Sequence, residues 1–229
     1  MYLTGDTHCD IDIGKLQFWH EAKKGDILII LGDFGAVFHP EETQREVNTL
    51  PWYETRPYEV AFIDGNHDNY NRLKDYPEEN WNGGRVRRIN SNVVYLQRGQ
   101  IYLIEDKKVL TIGGASSIDK EQRIKDISWW ATELLNKEEE DFVLANLDQH
   151  EWKVDLVLTH TIPASLMKYI TLPEQHCYIG REPDSVEKFL DHIYKNLEFK
   201  AWYCGHWHID QPIEFDNRFT LLNNRIARA

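Results

Sequence analysis

Short apolar runs that end in glycine or polar residues recur along this chain. The run Asp26 to Leu31 is nearly continuous in apolar residues and ends in Gly32 and Asp33. This form is typical of a strand that is buried on both faces and stops at a polar tip. Four more runs share it, at residues 1–4, 58–63, 154–158 and 201–204. The pattern predicts five buried strands, each followed by side chains that can carry chemistry.

Segments with helical spacing separate several of these runs. The predicted helices cover Ile11 to Lys24, Glu41 to Leu50, roughly Ser128 to His150, and Ser185 to Asn196. Residues 93–114 instead have the pattern of successive strands with a turn at Asp106 and Lys107, and residues 213–222 resemble a hairpin around Asp216 and Asn217. The alternation of strand and helix predicts an α/β protein with mixed sheets.

Length and composition limit the possible partners. A chain of 229 residues, 41% of them hydrophobic, is expected to form a single domain over residues 1–229. Its 26 Lys and Arg against 38 Asp and Glu give a net charge of −12. This charge disfavours extended nucleic acid as a partner but accommodates a small phosphorylated substrate.

The cysteines and the apolar runs bear on the cellular compartment. Cys9, Cys177 and Cys204 form no close pair, so they indicate neither a disulfide framework nor a zinc knuckle. We identify no signal peptide and no apolar run long enough to cross a bilayer. The expectation is a cytoplasmic protein with no membrane partner.

Potential metal ligands follow all five predicted strands. They are Asp6 with His8, Asp33, Asn66 with His67 and Asp68, His160, and His206 with His208. Because the carboxyl ends of strands in an open α/β sheet converge on one edge, these side chains can meet although they are distant in sequence. Within each of the pairs Asp-x-His and His-x-His, extended backbone would point both side chains to the same side.

The ligand types indicate which ions would bind. Imidazole nitrogens suit manganese, iron and zinc, whereas carboxylate and amide oxygens alone would suit magnesium or calcium. The mixed set therefore indicates manganese, iron or zinc, and manganese is our first expectation. Seven ligands are too many for one ion but would serve two divalent ions that share a carboxylate. A single such pair could be a chance occurrence or a buried core histidine; the ordered set favours a metal centre.

Five blocks in order resemble the calcineurin-like metallophosphoesterase signature. They are Asp6-Thr-His8, Gly32-Asp33, Gly65-Asn66-His67-Asp68, Thr159-His160 and Gly205-His206-Trp207-His208. The resemblance implies two mixed β-sheets packed as a sandwich and flanked by helices, a four-layer αββα fold with the site at the strand ends. It covers positions 6 to 208, which is nearly the whole chain.

The resemblance also implies roles for individual residues. Asp6, His8 and His208 would bind one ion, Asn66, His160 and His206 the other, and Asp33 would bridge both. His67 would face the substrate, and Asp68 would hydrogen-bond the His67 ring. The implied reaction is hydrolysis of a phosphate ester by in-line attack of a metal-bridging hydroxide.

Departures from the family pattern narrow the range of expected substrates. Cys9 follows His8 where protein Ser/Thr phosphatases have glycine, and Phe34-Gly35-Ala36-Val37 replaces their Val-Asp-Arg-Gly element. We therefore expect a phosphatase or phosphodiesterase acting on a small phosphomonoester or phosphodiester. Two alternatives remain open, a catalytically silent interaction scaffold and a nuclease acting on nucleic-acid ends.

Several further residues lie outside the proposed ligand set. Arg123 could contact a substrate phosphate, but a solvated arginine is the preferred interpretation. His39 is the best candidate for a substrate contact among the remaining histidines, which are His20, His150, His176 and His192. The walls of the substrate pocket are expected in loops around His39, Asn71 to Trp81 and Thr161 to Arg181.

Overall fold

The structure is a computed structural model that describes residues 1–172, 177 and 180–229. His176 and part of the Thr161 to Arg181 segment, both named above, lie outside the described residues. The elements pack in four layers, with two mixed sheets between two groups of helices. The predicted α/β sandwich is confirmed.

The first sheet contains seven strands among the described residues, in the spatial order β13-β1-β2-β3-β6-β5-β4. These strands are β1 (Tyr2–Thr4), β2 (Ile27–Leu31), β3 (Glu59–Ile63), β4 (Glu78–Trp81), β5 (Gly84–Arg88), β6 (Val93–Leu96) and β13 (Ala227–Arg228). The four strands β1, β2, β3 and β6 are parallel, and the others pair antiparallel at the edges.

The second sheet contains six strands within the described ranges, in the order β11-β12-β10-β9-β8-β7. They are β7 (Ile101–Ile104), β8 (Lys107–Ile112), β9 (Leu156–Thr159), β10 (Ala201–Cys204), β11 (Gln211–Pro212) and β12 (Phe219–Leu221). Strands β8, β9, β10 and β12 are parallel, and β7 and β11 are antiparallel edges. All five strands predicted from apolar runs are confirmed.

Alternating side chains of each central strand enter two different cores, as strand geometry requires. On β2, Ile29 and Leu31 point between the two sheets, whereas Leu28 and Ile30 face the helices on the outer side. Those helices are α1 (Gly14–Gln17), α2 (Gln44–Glu54) and α3 (Tyr70–Leu73). The outer face of the second sheet is covered by α4 (Lys137–Gln149) and α5 (Ser185–Asn196). Burial on both faces explains why the central strands are continuously apolar.

Two predicted helices are shorter than expected. The helix predicted over residues 11–24 is only α1, because Ile11 and Phe18 are exposed and no continuous apolar face remains to hold a longer helix. The helix predicted from Ser128 starts at Lys137 instead. Asn136 and Glu139 form a reciprocal capping box at that point, which fixes the helix start. The prediction for α5 is confirmed at both ends.

The prediction that residues 71–81 form a loop is wrong. This segment contains most of α3 and the whole of β4, which pairs with β5 through a turn at Asn82 and Gly83. Both turn residues have positive φ, at 47° and 85°, which is the conformation that Asn-Gly favours in a two-residue hairpin. The turn between β7 and β8 lies at Glu105 and Asp106, one residue before the predicted position.

Candidate metal centre

The loops after five strands meet at one place, where the carboxyl edges of the two sheets adjoin. The first sheet supplies Asp6 and His8 after β1, Asp33 after β2 and Asn66 after β3; the second supplies His160 after β9 and His206 and His208 after β10. The structure therefore brings together all seven predicted ligands.

Sharp turns, and not extended backbone, aim these side chains. His8, Asp33, His206 and His208 all have positive φ, between 43° and 67°, which is uncommon for residues with a Cβ. The expectation that Asp-x-His and His-x-His are extended is therefore wrong. The left-handed conformation turns the chain at once after the strand and directs successive side chains into the same space.

Glycine next to a ligand permits the close approach of these loops. A Cβ on Gly65 would lie 2.2 Å from Oδ1 of Asp33 and 2.7 Å from Nε2 of His160. Any side chain at this position would displace two candidate ligands. The glycine therefore belongs to the architecture of the site.

One group of potential ligands comprises Asp6, His8, Asp33 and His208, each of which offers an atom within 4.8 Å of the others. Nε2 of His208 lies 3.1 Å from Oδ2 of Asp6, and Nε2 of His8 lies 3.2 Å from Oδ2 of Asp33. Asp6 is fully buried, whereas the side chain of His208 is 47% exposed. Solvent can thus reach the centre from the His208 side.

A second group comprises Asp33, His160 and His206, again with one atom each within 4.8 Å. Nε2 of His160 lies 3.3 Å from Oδ1 of Asp33 and 3.2 Å from Oδ1 of Asn66. Asp33 thus belongs to both groups, and its two oxygens face different imidazoles. This arrangement, together with the mixed oxygen and nitrogen donors, fits a pair of divalent cations that share one carboxylate.

Hydrogen bonds on the far ring nitrogens orient two of the imidazoles. Nδ1 of His160 donates to the carbonyl oxygen of Leu31 at 2.8 Å, and Nδ1 of His8 lies 2.7 Å from Oδ2 of Asp12. Each ring therefore turns its Nε2 toward Asp33. Orientation of a metal-binding imidazole by a carbonyl or carboxylate is a common arrangement, and the Asp12 contact was not predicted.

The charges of these groups are strongly coupled. Burial by itself would lower the pKa of both His8 and His160, but the Asp33 carboxylate raises the pKa of His8 to about 9 and that of His160 to about 10. Burial disfavours the charge of Asp33, yet the neighbouring imidazoles hold its pKa well below the usual range. The pKa of His206 is lowered by burial and by His160, which keeps this ring neutral. A cation would take the place of the protons on His8 and His160.

Asp68 has a different partner from the one expected. Its carboxylate accepts hydrogen bonds from the backbone amides of Gly35 at 2.7 Å, Gly65 at 2.9 Å and Phe34 at 3.2 Å. The expected hydrogen bond from Asp68 to the ring of His67 is therefore wrong. Asp68 is buried, with 1% of its surface exposed. Its hydrogen bonds connect the loop after β2 to the loop after β3. Asp68 therefore helps to fix the positions of Asp33 and Asn66, which lie on these loops. Burial, followed by the charge of Asp33, raises the pKa of Asp68 to about 7.

The ring of His67 instead contacts Arg123. Nη2 of Arg123 lies 3.2 Å from Nε2 of His67, while the amide of His67 donates to Oδ1 of Asp33 at 2.7 Å. The Arg123 side chain is only 16% exposed and is held by Asp119 at 2.8 Å and by the carbonyl of Ser128 at 3.2 Å. The interpretation of Arg123 as a solvated residue is wrong. It lies on an irregular loop, where periodicity gives no signal.

Lys15 is a further residue at the site that the sequence did not reveal. Its Nζ donates to the carbonyl oxygens of Gly5 at 2.9 Å and Asp6 at 2.6 Å, and also to that of Asn223. Burial lowers the pKa of Lys15 to about 8, against the opposing effect of Asp6. The lysine thus fastens the Asp6 loop to the C-terminal segment beneath the metal ligands.

The comparisons with known proteins agree with this geometry. A family model described as calcineurin-like phosphoesterase matches residues 1–210. None of the curated proteins with which the sequence was compared is significantly similar to it. Within the described residues, no helix is both long and apolar enough to cross a membrane. On the strength of the family match, which covers all seven potential ligands, the chain belongs to the calcineurin-like phosphoesterase family.

Proposed function

We propose that this protein is a phosphoesterase that uses two divalent cations, preferably manganese, to hydrolyse a small phosphomonoester or phosphodiester. The observation that supports this most directly is the position of Asp33, whose Oδ1 and Oδ2 face His160 and His8 respectively. Iron or zinc would also suit this donor set. Two bound cations would supply hydroxide near neutral pH and neutralise charge on the phosphoryl oxygens.

His67 is the candidate hydrogen-bond donor to the departing oxygen in this reaction. A guanidinium can only donate hydrogen bonds, so the contact with Arg123 requires Nε2 of His67 to be the acceptor. The proton of the neutral ring is then on Nδ1, which would donate a hydrogen bond that stabilises the negative charge developing on the departing oxygen. Arg123 positions the ring and adds positive charge beside the phosphoryl site.

The presence of His67 favours an enzyme over a silent scaffold, because a scaffold has no need of an imidazole held by Arg123. The net charge of −12 continues to disfavour a nuclease. Cys9 and Cys204 are buried thiols, which is compatible with the proposed cytoplasmic location.

The test combines metal content with activity. Protein stripped of metal and reloaded with manganese is expected to bind two ions per chain and to hydrolyse an aryl phosphomonoester or an aryl phosphodiester. Asp33→Asn should lose at least one ion and lower kcat by at least ~100-fold. Asp75→Asn, at an exposed position, is the matched control and should retain both properties. Tight manganese binding without hydrolysis of either ester would refute the enzyme and favour the scaffold.

A further inference from the structure

A cavity of about 240 Å³ opens beside the candidate metal centre. His8 and His67 form its inner end, and three chain segments form the rest of its wall: residues 8–11, 35–39 and 43–45. The cavity therefore begins where the phosphorus-bearing group would lie and extends away from both groups of ligands.

The wall of this cavity is largely apolar. Cys9, Ile11, Ala36 and Phe38 contribute to it. Ile11 is 68% exposed although it stands next to the site, and its side chain therefore offers apolar surface that water covers in the free protein. Covering such surface with an apolar group is favourable.

Phe38 is held in place before any ligand arrives. Its ring is in edge contact with Trp130, with centroids 4.9 Å apart, and lies at a 31° tilt to the ring of His67, with centroids 5.7 Å apart. A preorganised aromatic wall favours another ring, since aromatic pairs gain about 0.5–1.5 kcal/mol beyond the area they bury.

The charge at the rim is compensated. Arg45 lines the cavity, but its Nε donates to Oδ1 of Asp10 at 2.8 Å and its Nη2 contacts the same oxygen. The hydroxyl oxygen of Thr43 accepts a hydrogen bond from the amide of Glu46 at 3.3 Å. The Arg45 charge is therefore balanced by Asp10 within the protein, which disfavours a second phosphate or a carboxylate on this side of the cavity.

We infer that the substrate is a phosphoester whose organic group carries an uncharged aromatic ring, and that this ring occupies the cavity between Ile11 and Phe38. Cavities for whole drug-sized ligands measure about 300–1,000 Å³, so a smaller one suits one ring-sized group. This inference rests on the proposed phosphoesterase function, because it needs the phosphate to be held at the adjacent metal centre.

Binding of two phosphonates tests the inference without requiring turnover. Calorimetry with the manganese-loaded protein would compare benzylphosphonate, which carries the ring, with ethylphosphonate, which does not. We expect benzylphosphonate to bind about tenfold more tightly, in line with the effect of a small apolar group in a fitted pocket. Ile11→Ser should remove most of that difference. Ile127→Ser, which changes an exposed isoleucine that does not line the cavity, should preserve the difference.

Equal affinity for the two phosphonates, or binding of neither, would overturn the inference. A difference that survives in Ile11→Ser would also overturn it, because the ring would then lie elsewhere. Hydrolysis of benzyl and ethyl phosphate is measured separately. Equal hydrolysis of the two phosphate esters would contradict the aromatic pocket and support the proposed phosphoesterase activity. If the protein hydrolyses neither ester but binds benzylphosphonate selectively, the result supports the aromatic pocket and contradicts the proposed phosphoesterase activity.

Discussion

Nη2 of Arg123 and Nε2 of His67 lie 3.2 Å apart. This contact connects an irregular loop of the second half of the chain to the loop that follows β3, and it places a fixed positive charge against the ring that is proposed to contact the departing oxygen. The pKa of His67 is lowered first by burial, and the Arg123 charge lowers it further. Arg123 thus orients the His67 ring, a role that the family resemblance implies for Asp68.

Replacement of Arg123 should change the titration of His67. In Arg123→Ala the pKa of His67 is expected to rise, because a neighbouring positive charge is removed. NMR of the imidazole signals in the metal-free protein would measure this shift. Lys125→Ala, which removes a nearby exposed charge, should leave His67 unchanged. The same pKa in wild type and Arg123→Ala would show that the contact has no electrostatic effect.

Asp68→Asn should destabilise the fold. The carboxylate accepts three backbone amides, and an asparagine would set an NH₂ donor against at least one of them. We expect a loss of about 1–3 kcal/mol in the free energy of unfolding, as for a buried donor left without an acceptor. Urea denaturation of the metal-free variant would measure it. A variant with unchanged stability and impaired activity would instead support the role that the family resemblance implies, in which Asp68 hydrogen-bonds the His67 ring.

Metal affinity should rise steeply with pH. In the metal-free protein the pKa of His8 is about 9 and that of His160 about 10, so both imidazoles carry protons at pH 7. Each must lose its proton to bind a cation, so manganese affinity should increase from pH 6 to pH 9 and binding should release protons. Calorimetry in two buffers with different ionisation enthalpies would count them. Binding that releases no protons would contradict the assignment of these two ligands.

The buried ion pair of Arg98 and Asp64 should contribute strongly to the stability of the fold behind the site. Nη2 of Arg98 lies 2.5 Å from Oδ2 of Asp64, and the two side chains are 2% and 0% exposed. In Arg98→Met the Asp64 charge stays buried without its cation, which should lower the free energy of unfolding by about 3–5 kcal/mol. Arg85→Met removes an exposed pair with Glu78 and should change stability by less than about 1 kcal/mol. Similar losses in both variants would contradict this role for the buried pair.

Apolar periodicity and strand ends predicted the parts of the molecule that depend on local order. The central strands were predictable because burial on both faces requires unbroken apolar runs, as in β2, and Asp33 was predictable because it ends such a run. The family resemblance supplied the sandwich; the division of the ligands between two ions, which it also implies, stays a prediction. The α5 helix was predictable from its regular spacing and its capping residue Asp184.

The remaining features depend on contacts that no local pattern records. The partners of Asp68 are amides of two separate loops, and Arg123 reaches His67 from 56 residues away. The left-handed turns at His8 and His206 depend on tertiary packing, because histidine adopts this conformation more often than most residues but still uncommonly. The hairpin of β4 and β5 is a different case, because Asn82-Gly83 carried a usable turn signal.

The shared position of Asp33 is most directly tested by anomalous diffraction from crystals grown with excess manganese. Two manganese peaks should flank the Asp33 carboxylate, about 3.5–4 Å apart, one near His8 and His208 and the other near His160 and His206. A single peak away from Asp33, or no peak within reach of its oxygens, would contradict the two-metal centre.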